Sequence, residues 1–86
     1  MSKVVVTFRV MPEGAETDVG VLRDRVRQVF GGRVRDVSEK PLAFGLVGLE
    51  AAILLEDAEG EVDDAEGSLR GLEGVGSVET LSVDLL

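Results

Sequence analysis

The chain has no cysteine, histidine, tryptophan, tyrosine or asparagine. Without cysteine there is neither a disulfide framework nor thiolate chemistry, which fits a reducing, cytoplasmic location. Without histidine the chain lacks the commonest metal ligand and the usual base that activates a nucleophile. Three phenylalanines are its complete set of aromatic residues, which leaves few rings for stacking on RNA bases.

Positive charge is also scarce. Seventeen acidic residues against nine basic ones give a net charge of −8, and Lys3 and Lys40 are the two lysines. Non-specific nucleic-acid binding needs the opposite sign, so we expect no direct nucleic-acid partner. Many carboxylates with few lysines suggest a salt-adapted, halophilic protein, because salt screens charge self-repulsion. An ordinary acidic cytoplasmic domain is the alternative.

Long hydrophobic runs are interrupted. The most apolar stretch, residues 40–57, contains Glu50 and is bounded by Lys40, Glu56 and Asp57, so its uncharged part is too short to span a membrane. We therefore expect no membrane association. The length of 86 residues predicts one domain over residues 1–86, without a deep cavity.

Hydrophobic spacing predicts the first half of the fold. Residues 4–11 alternate in polarity, with Val4, Val6, Phe8 and Val10 on one side, and so predict a strand with one buried face. Apolar residues between Val19 and Phe30 then recur at helical spacing. Thr17 or Asp18 can cap this helix, and Gly31-Gly32 ends it.

The second half repeats the pattern. Residues 33–38 predict a short, charged edge strand. The run 46–55, after Pro41, predicts a central strand buried on at least one face. A second helix begins near Val62 and stops by Gly74. Residues 75–85 predict a last strand whose irregular alternation implies a bulge or a register that the sequence does not settle.

Strand–helix–strand occurs twice, which predicts an α+β, ferredoxin-like βαββαβ sandwich. This fold has a four-stranded antiparallel sheet with two helices on one face. The first and third strands should lie in its centre, with Phe8 towards the helices. On the open face, Arg9 and Glu50 can form a cross-strand pair.

The sequence fits none of the catalytic or metal-binding motifs that its residues suggest. The acidic run over residues 56–66 resembles a calcium loop starting at Asp57, but Val62 and Ser68 stand where an EF-hand needs Gly and Glu. A solvated turn leading into a helix is the simpler interpretation. There is no phosphate-binding glycine loop, and an acylphosphatase-like site would need Asn. We therefore expect no catalytic residue, no metal site, no cofactor and no enzymatic activity.

Phe44 leaves two interpretations open. It is either a core aromatic residue at the mouth of a strand or an exposed anchor for a protein partner, since aromatic residues beside rigid turns make good hot spots. Pro41 and Gly45 would then fix its direction.

Four blocks of the sequence resemble the archaeal elongation factor 1-beta family, and the resemblance covers nearly the whole chain. The blocks are VMPEG (10–14), PLAFGLVGL (41–49), DAEGEVDDAEGSL (57–69) and LEGVGSVE (72–79). The resemblance implies a ferredoxin-like fold and a translation factor that promotes exchange of GDP for GTP on elongation factor 1-alpha. The partner would be that GTPase, and we expect the factor to be a monomer when free.

For the contact with the GTPase we expect residues of the PLAFGL block, with the end of the last strand beside them: Lys40, Pro41, Phe44, Gly45, Asp84 and Leu85. Similar eukaryotic factors carry a Lys after an SVD-like segment, whereas Leu85 and Leu86 follow that segment here. Lys40 or an arginine would have to substitute, or shape alone would displace the nucleotide.

Two other functions use the same fold. One is a small-molecule-sensing module, such as an ACT-like amino-acid sensor, and the other is a protein-binding module without exchange activity. The first is normally fused to an enzyme. The sequence does not exclude the second.

Overall fold

The computed structural model describes residues 2–56 and 60–86. The bounds of its strands and helices are β1 (Lys3–Pro12), α1 (Val19–Phe30), β2 (Val34–Pro41), β3 (Val47–Glu56), α2 (Glu61–Arg70) and β4 (Val75–Leu85). All neighbouring strands are antiparallel, in the order β2-β3-β1-β4. The predicted ferredoxin-like fold, with the first and third strands in the centre, is confirmed.

The core lies between one face of the sheet and the two helices. The residues that β1 and β3 contribute to it alternate along each strand and are Val4, Val6, Phe8, Val10, Leu49, Ala51, Ile53 and Leu55. The helices cover this face with Leu22, Val26 and Phe30 of α1 and with Ala65 and Leu69 of α2. Phe8 therefore faces the helices, as predicted, and neither α1 nor α2 lies on the other face of the sheet.

The ends of α1 follow their sequence signals. Asp18 caps its start, where the carboxylate Oδ1 accepts hydrogen bonds from the backbone N–H groups of Gly20 and Val21 at 3.0 and 3.2 Å. Gly31 ends the helix with φ of 54° and ψ of −128°, a positive-φ conformation that glycine adopts without steric strain.

The second helix ends earlier than predicted. It stops at Arg70, with Gly71 as its C-cap, rather than continuing towards Gly74. Gly74 instead has φ of 96° in the turn before β4, and its carbonyl accepts a hydrogen bond from the N–H of Glu13 at 2.9 Å. Leu72 still packs against the core, but from this turn. Its helical spacing in the sequence was therefore misleading.

The predicted irregularity of β4 is a bulge. Thr7 of β1 pairs with Ser82, and the next residue, Phe8, pairs with Thr80, so Leu81 has no partner on β1. This extra residue reverses the alternation between the two halves of the strand, as a bulge does.

Lys40 and Pro41 belong to the end of β2, beyond the predicted limit at Ser38. The stretch 40–57 is therefore divided between β2, a turn and β3, and β3 begins after Pro41 as predicted. Asp57 and Glu59 of the acidic run lie outside the described residues. In the described ranges, no helix is long and apolar enough to cross a membrane.

Candidate functional site

The turn between β2 and β3 has an unusual backbone. Phe44 adopts φ of 62° and ψ of 30°, and Gly45 follows with φ of 76°. The N–H of Leu46 donates to the carbonyl of Ala43 at 3.4 Å. Two successive left-handed residues closed by such a bond correspond to a type I′ turn, the tight turn of β-hairpins.

Phenylalanine is a poor residue for this position. Type I′ turns favour Asn, Asp or Gly at the first central residue, because a Cβ in the left-handed region costs about 1–2 kcal/mol. Phe44 does not recover this cost by burial, since its exposed fraction is 100%. The interpretation of Phe44 as a core residue is therefore wrong. A strained residue that packs against nothing points to a role outside the fold.

The base of the turn is held firmly. The N–H of Leu42 donates to the carbonyl of Leu46 at 2.7 Å. Leu42 also lies over Gly48, where a Cβ would stand 3.0 Å from Leu42 Cδ1 and 3.4 Å from Met11 Sδ. Because glycine leaves room for both side chains, the turn is seated on the open face of the sheet.

Four of the expected contact residues meet at this corner. Lys40 pairs with Gly48 and Pro41 with Val47, so both stand just before the turn that carries Phe44 and Gly45. All four are exposed. Over residues 2–56 and 60–86, no carboxylate is within ion-pair distance of Lys40. The Phe44 corner (Lys40, Pro41, Phe44 and Gly45) thus presents an aromatic ring and a positive charge together.

Asp84 and Leu85 lie at the opposite end of the sheet. Leu85 pairs with Val4, at the start of β1, whereas Pro41 pairs with Val47, at the start of β3. These positions are about eight residues apart along the strands, or roughly 25 Å at the usual rise of a β-strand. The expectation that the end of the last strand lies beside Phe44 is wrong.

Lys3, rather than Lys40, is the lysine beside the end of β4. The N–H of Leu86 donates to the carbonyl of Lys3 at 3.2 Å. Lys40 therefore cannot supply a cation at that end. Sequence reasoning missed Lys3 because it did not carry the strand directions of the predicted fold through to the chain ends.

A cleft on the helix side of the described residues is smaller than most small-molecule sites. A surface cleft of about 220 Å³ lies between the end of α1 and the start of α2, and its lining includes Phe30, Arg33 and Glu61. Small-molecule sites usually hold about 300–1,000 Å³. Where the chain is described, no cluster of carboxylates is arranged to hold a metal ion.

The chain is similar to one protein family over nearly its whole length. The model of the EF-1 guanine nucleotide exchange domain matches residues 5–86. Elongation factor 1-beta of Methanothermobacter thermautotrophicus is 39% identical over 85 residues, which cover 96% of each chain. Elongation factor 1-beta of Methanoregula boonei is 38% identical over 85 residues and 99% of each chain. Elongation factor 1-beta of Thermoplasma volcanium is 33% identical over 88 residues and the full length of both.

Among solved structures, the ACT domain from the GTP pyrophosphokinase of Chlorobium tepidum is similar, with a TM-score of 0.63 and 18% identity. The match covers 92% of this chain and 99% of that one. At this identity the likeness shows the fold alone.

Proposed function

The chain belongs to the family of EF-1 guanine nucleotide exchange domains, and we propose that it promotes exchange of GDP for GTP on elongation factor 1-alpha through the Phe44 corner. Its partner is this GTPase, in the cytoplasm, and the contact needs neither nucleic acid nor a membrane. The free factor is a monomer in this proposal. No covalent bond is made or broken by the factor itself, so it has no catalytic residue in the chemical sense.

Exchange follows from differential binding. A factor that binds the nucleotide-free GTPase more tightly than the GDP-bound form must weaken GDP binding by the same ratio. The structure of the Phe44 corner supports such binding, because backbone hydrogen bonds between Leu42 and Leu46 and between Leu46 and Ala43 close the turn and so reduce the backbone entropy that binding would cost.

The single observation that carries the proposal is the fully exposed ring of Phe44 on a left-handed residue. Burial of an aromatic side chain in a partner's pocket supplies a large apolar contact area, and such residues dominate binding energies. Lys40 beside it adds a positive charge, which suits a pocket with an acidic rim.

The test is the release of fluorescent GDP from elongation factor 1-alpha of the same organism, at low and at high salt. We expect the factor to accelerate release and Phe44→Ala to abolish most of the acceleration. Val29→Ala is the matched control, because Val29 is an exposed apolar residue on α1, away from the Phe44 corner.

Two results would count against the proposal. If Phe44→Ala and Lys40→Ala together leave the acceleration unchanged in a folded protein, the Phe44 corner is not the contact. If the folded factor accelerates release at neither salt concentration, the exchange function itself is wrong, and a binding module without exchange activity takes its place.

A further inference from the structure

The two edges of the sheet differ in how they are protected. The exposed residues of β2 that discourage pairing with another strand are Arg35, Asp36, Glu39, Lys40 and Pro41. The other edge, β4, runs for 11 residues without proline, lysine or arginine, and residues 81–86 are all exposed. Beyond the bulge at Leu81, β4 carries one charged residue, Asp84, so this end of the edge is less protected against a further strand than β2 is.

The backbone groups that β4 leaves free can be assigned. The N–H of Leu86 donates to the carbonyl of Lys3, and the pairing is regular from Leu85 opposite Val4 to Val83 opposite Val6. In an antiparallel pair, residues that bond to the partner alternate with residues whose N–H and C=O point away. Val83 and Leu85 therefore direct both groups away from β1, towards the free edge.

Val83 and Leu85 also carry exposed apolar side chains, as does Leu86 beside them. The exposed fractions are 53% for Val83, 75% for Leu85 and 70% for Leu86. The helix α2 reaches β4 further back, where Glu66 accepts a hydrogen bond from the hydroxyl of Thr80. Free hydrogen-bonding groups and free apolar surface thus coincide at the end of the strand.

We propose that the end of β4 together with Leu86, residues 81–86 (the β4 edge), takes up an extended strand of the GTPase by β-strand addition. The inference rests on the exchange function proposed above. Its occupant is a strand that carries Lys or Arg between apolar residues, because the charged side chain of the β4 edge is Asp84 and Glu79 lies just before the bulge. A second copy of this chain, with a net charge of −8, fits this acidic edge less well.

Strand addition gives the β4 edge a role in binding, although this edge lies far from the Phe44 corner. The Phe44 corner and the β4 edge lie at opposite ends of the sheet and on opposite sides of it. Two contacts separated in this way fix the orientation of the factor on one GTPase, which neither contact does alone. Asp84 and Leu85 then contact the partner without lying beside Phe44.

Proline separates a backbone contact from a side-chain contact. Because the N–H of Leu85 points outward, Leu85→Pro removes a donor from the β4 edge without removing a bond to β1. Leu85→Ala is the matched variant, since it removes the same side chain and keeps the N–H. In the GDP-release assay, we expect Leu85→Pro to raise the half-maximal concentration of the factor by about tenfold or more, and Leu85→Ala by less than about threefold.

Amide hydrogen exchange on the unmutated protein is the second measurement, and it does not depend on how the variants fold. We expect the Val83 and Leu85 amides to exchange at least about tenfold more slowly when nucleotide-free elongation factor 1-alpha is added. Phe44→Ala removes a contact at the Phe44 corner, so it should weaken the protection of the Val83 and Leu85 amides without changing which β4 amides are protected.

The outcomes are distinguishable. Equal effects of Leu85→Pro and Leu85→Ala, with no slowing of the two amides, would overturn strand addition and leave the exchange function standing. A folded factor that never accelerates GDP release would overturn both. Slowing that depends on the factor's own concentration, without the GTPase, would assign the β4 edge to a second copy and also overturn the proposal.

Discussion

Arg9 of β1 lies directly opposite Glu50 of β3 on the open face, with its Nη2 4.0 Å from Glu50 Oε2. Glu79 of β4 flanks Arg9 on its other side. The pair was predicted from the sequence, and it joins the two central strands at one register. A shift by one residue would place Arg9 on the buried face, which is strongly unfavourable.

The stabilising effect of this pair itself should be small. Both side chains are partly exposed, so water and salt screen their attraction. We expect a double-mutant cycle of Arg9→Ala and Glu50→Ala to give a coupling of about 0.2–1 kcal/mol at low salt, falling towards zero at high salt. Urea unfolding of the four proteins measures it. A coupling that persisted in high salt would show that the pair does more than mark the register.

Replacing Phe44 by a residue that tolerates the left-handed region should stabilise the protein and leave its fold unchanged. Asn tolerates the left-handed region, so Phe44→Asn should raise the free energy of unfolding by about 0.5–1 kcal/mol while exchange activity is lost. Phe44→Ala removes the ring but keeps the strain, and therefore loses activity without this gain. Urea unfolding and GDP release, measured on both variants, check the prediction. Unchanged or lower stability of Phe44→Asn would contradict the assignment of strain to this residue.

Gly76 should not accept a side chain. A Cβ there would stand 2.8 Å from the backbone oxygen of Pro12 and 3.1 Å from the Cα of Glu13. These are backbone atoms of β1 and of the loop after it, so relief requires the strands to move apart. We expect Gly76→Ala to lower the free energy of unfolding by about 1–3 kcal/mol.

Gly67→Ala is the matched control for this substitution. Gly67 lies inside α2 with nothing within 4 Å of the position of a Cβ. Alanine at this site should stabilise the protein by up to about 1 kcal/mol, because it reduces the backbone freedom of the unfolded chain. Chemical denaturation of both variants should therefore give shifts of opposite sign, and a Gly76→Ala protein as stable as the parent would contradict the contact at Gly76.

Hydrophobic periodicity was sufficient to predict most of the strands and helices, but it did not predict the residues that lie in turns. The alternation from Val4 to Val10 was sufficient to predict the buried face of β1. The helical spacing of Leu72 was not sufficient, because a turn can also place a leucine on the core. The conformation of Phe44 has no local signal, since Phe-Gly is not among the usual type I′ pairs.

The position of Leu85 was an error of a different kind. In the predicted antiparallel order, β4 must end where β1 begins, and the turn after β2 must lie at the other end. The sequence therefore already implied that Leu85 and Phe44 lie at opposite ends of the sheet. The expected site was based on the resemblance alone, without the strand directions. Lys3 was missed for the same reason.

The last prediction concerns salt. The excess of eight negative charges repels itself, and the screening length falls from about 10 Å at 0.1 M salt to about 3 Å at 1 M. We therefore expect the thermal midpoint to rise between these concentrations of KCl.

Salt also strengthens apolar burial, so a variant must separate the two effects. Glu13, Glu16 and Glu73 are exposed, and the triple replacement by Gln removes three negative charges with little loss of packing. It should be more stable than the parent at low salt and gain less from KCl. If both proteins gain equally, charge repulsion is not what salt relieves, and the salt-adapted interpretation of the composition is wrong.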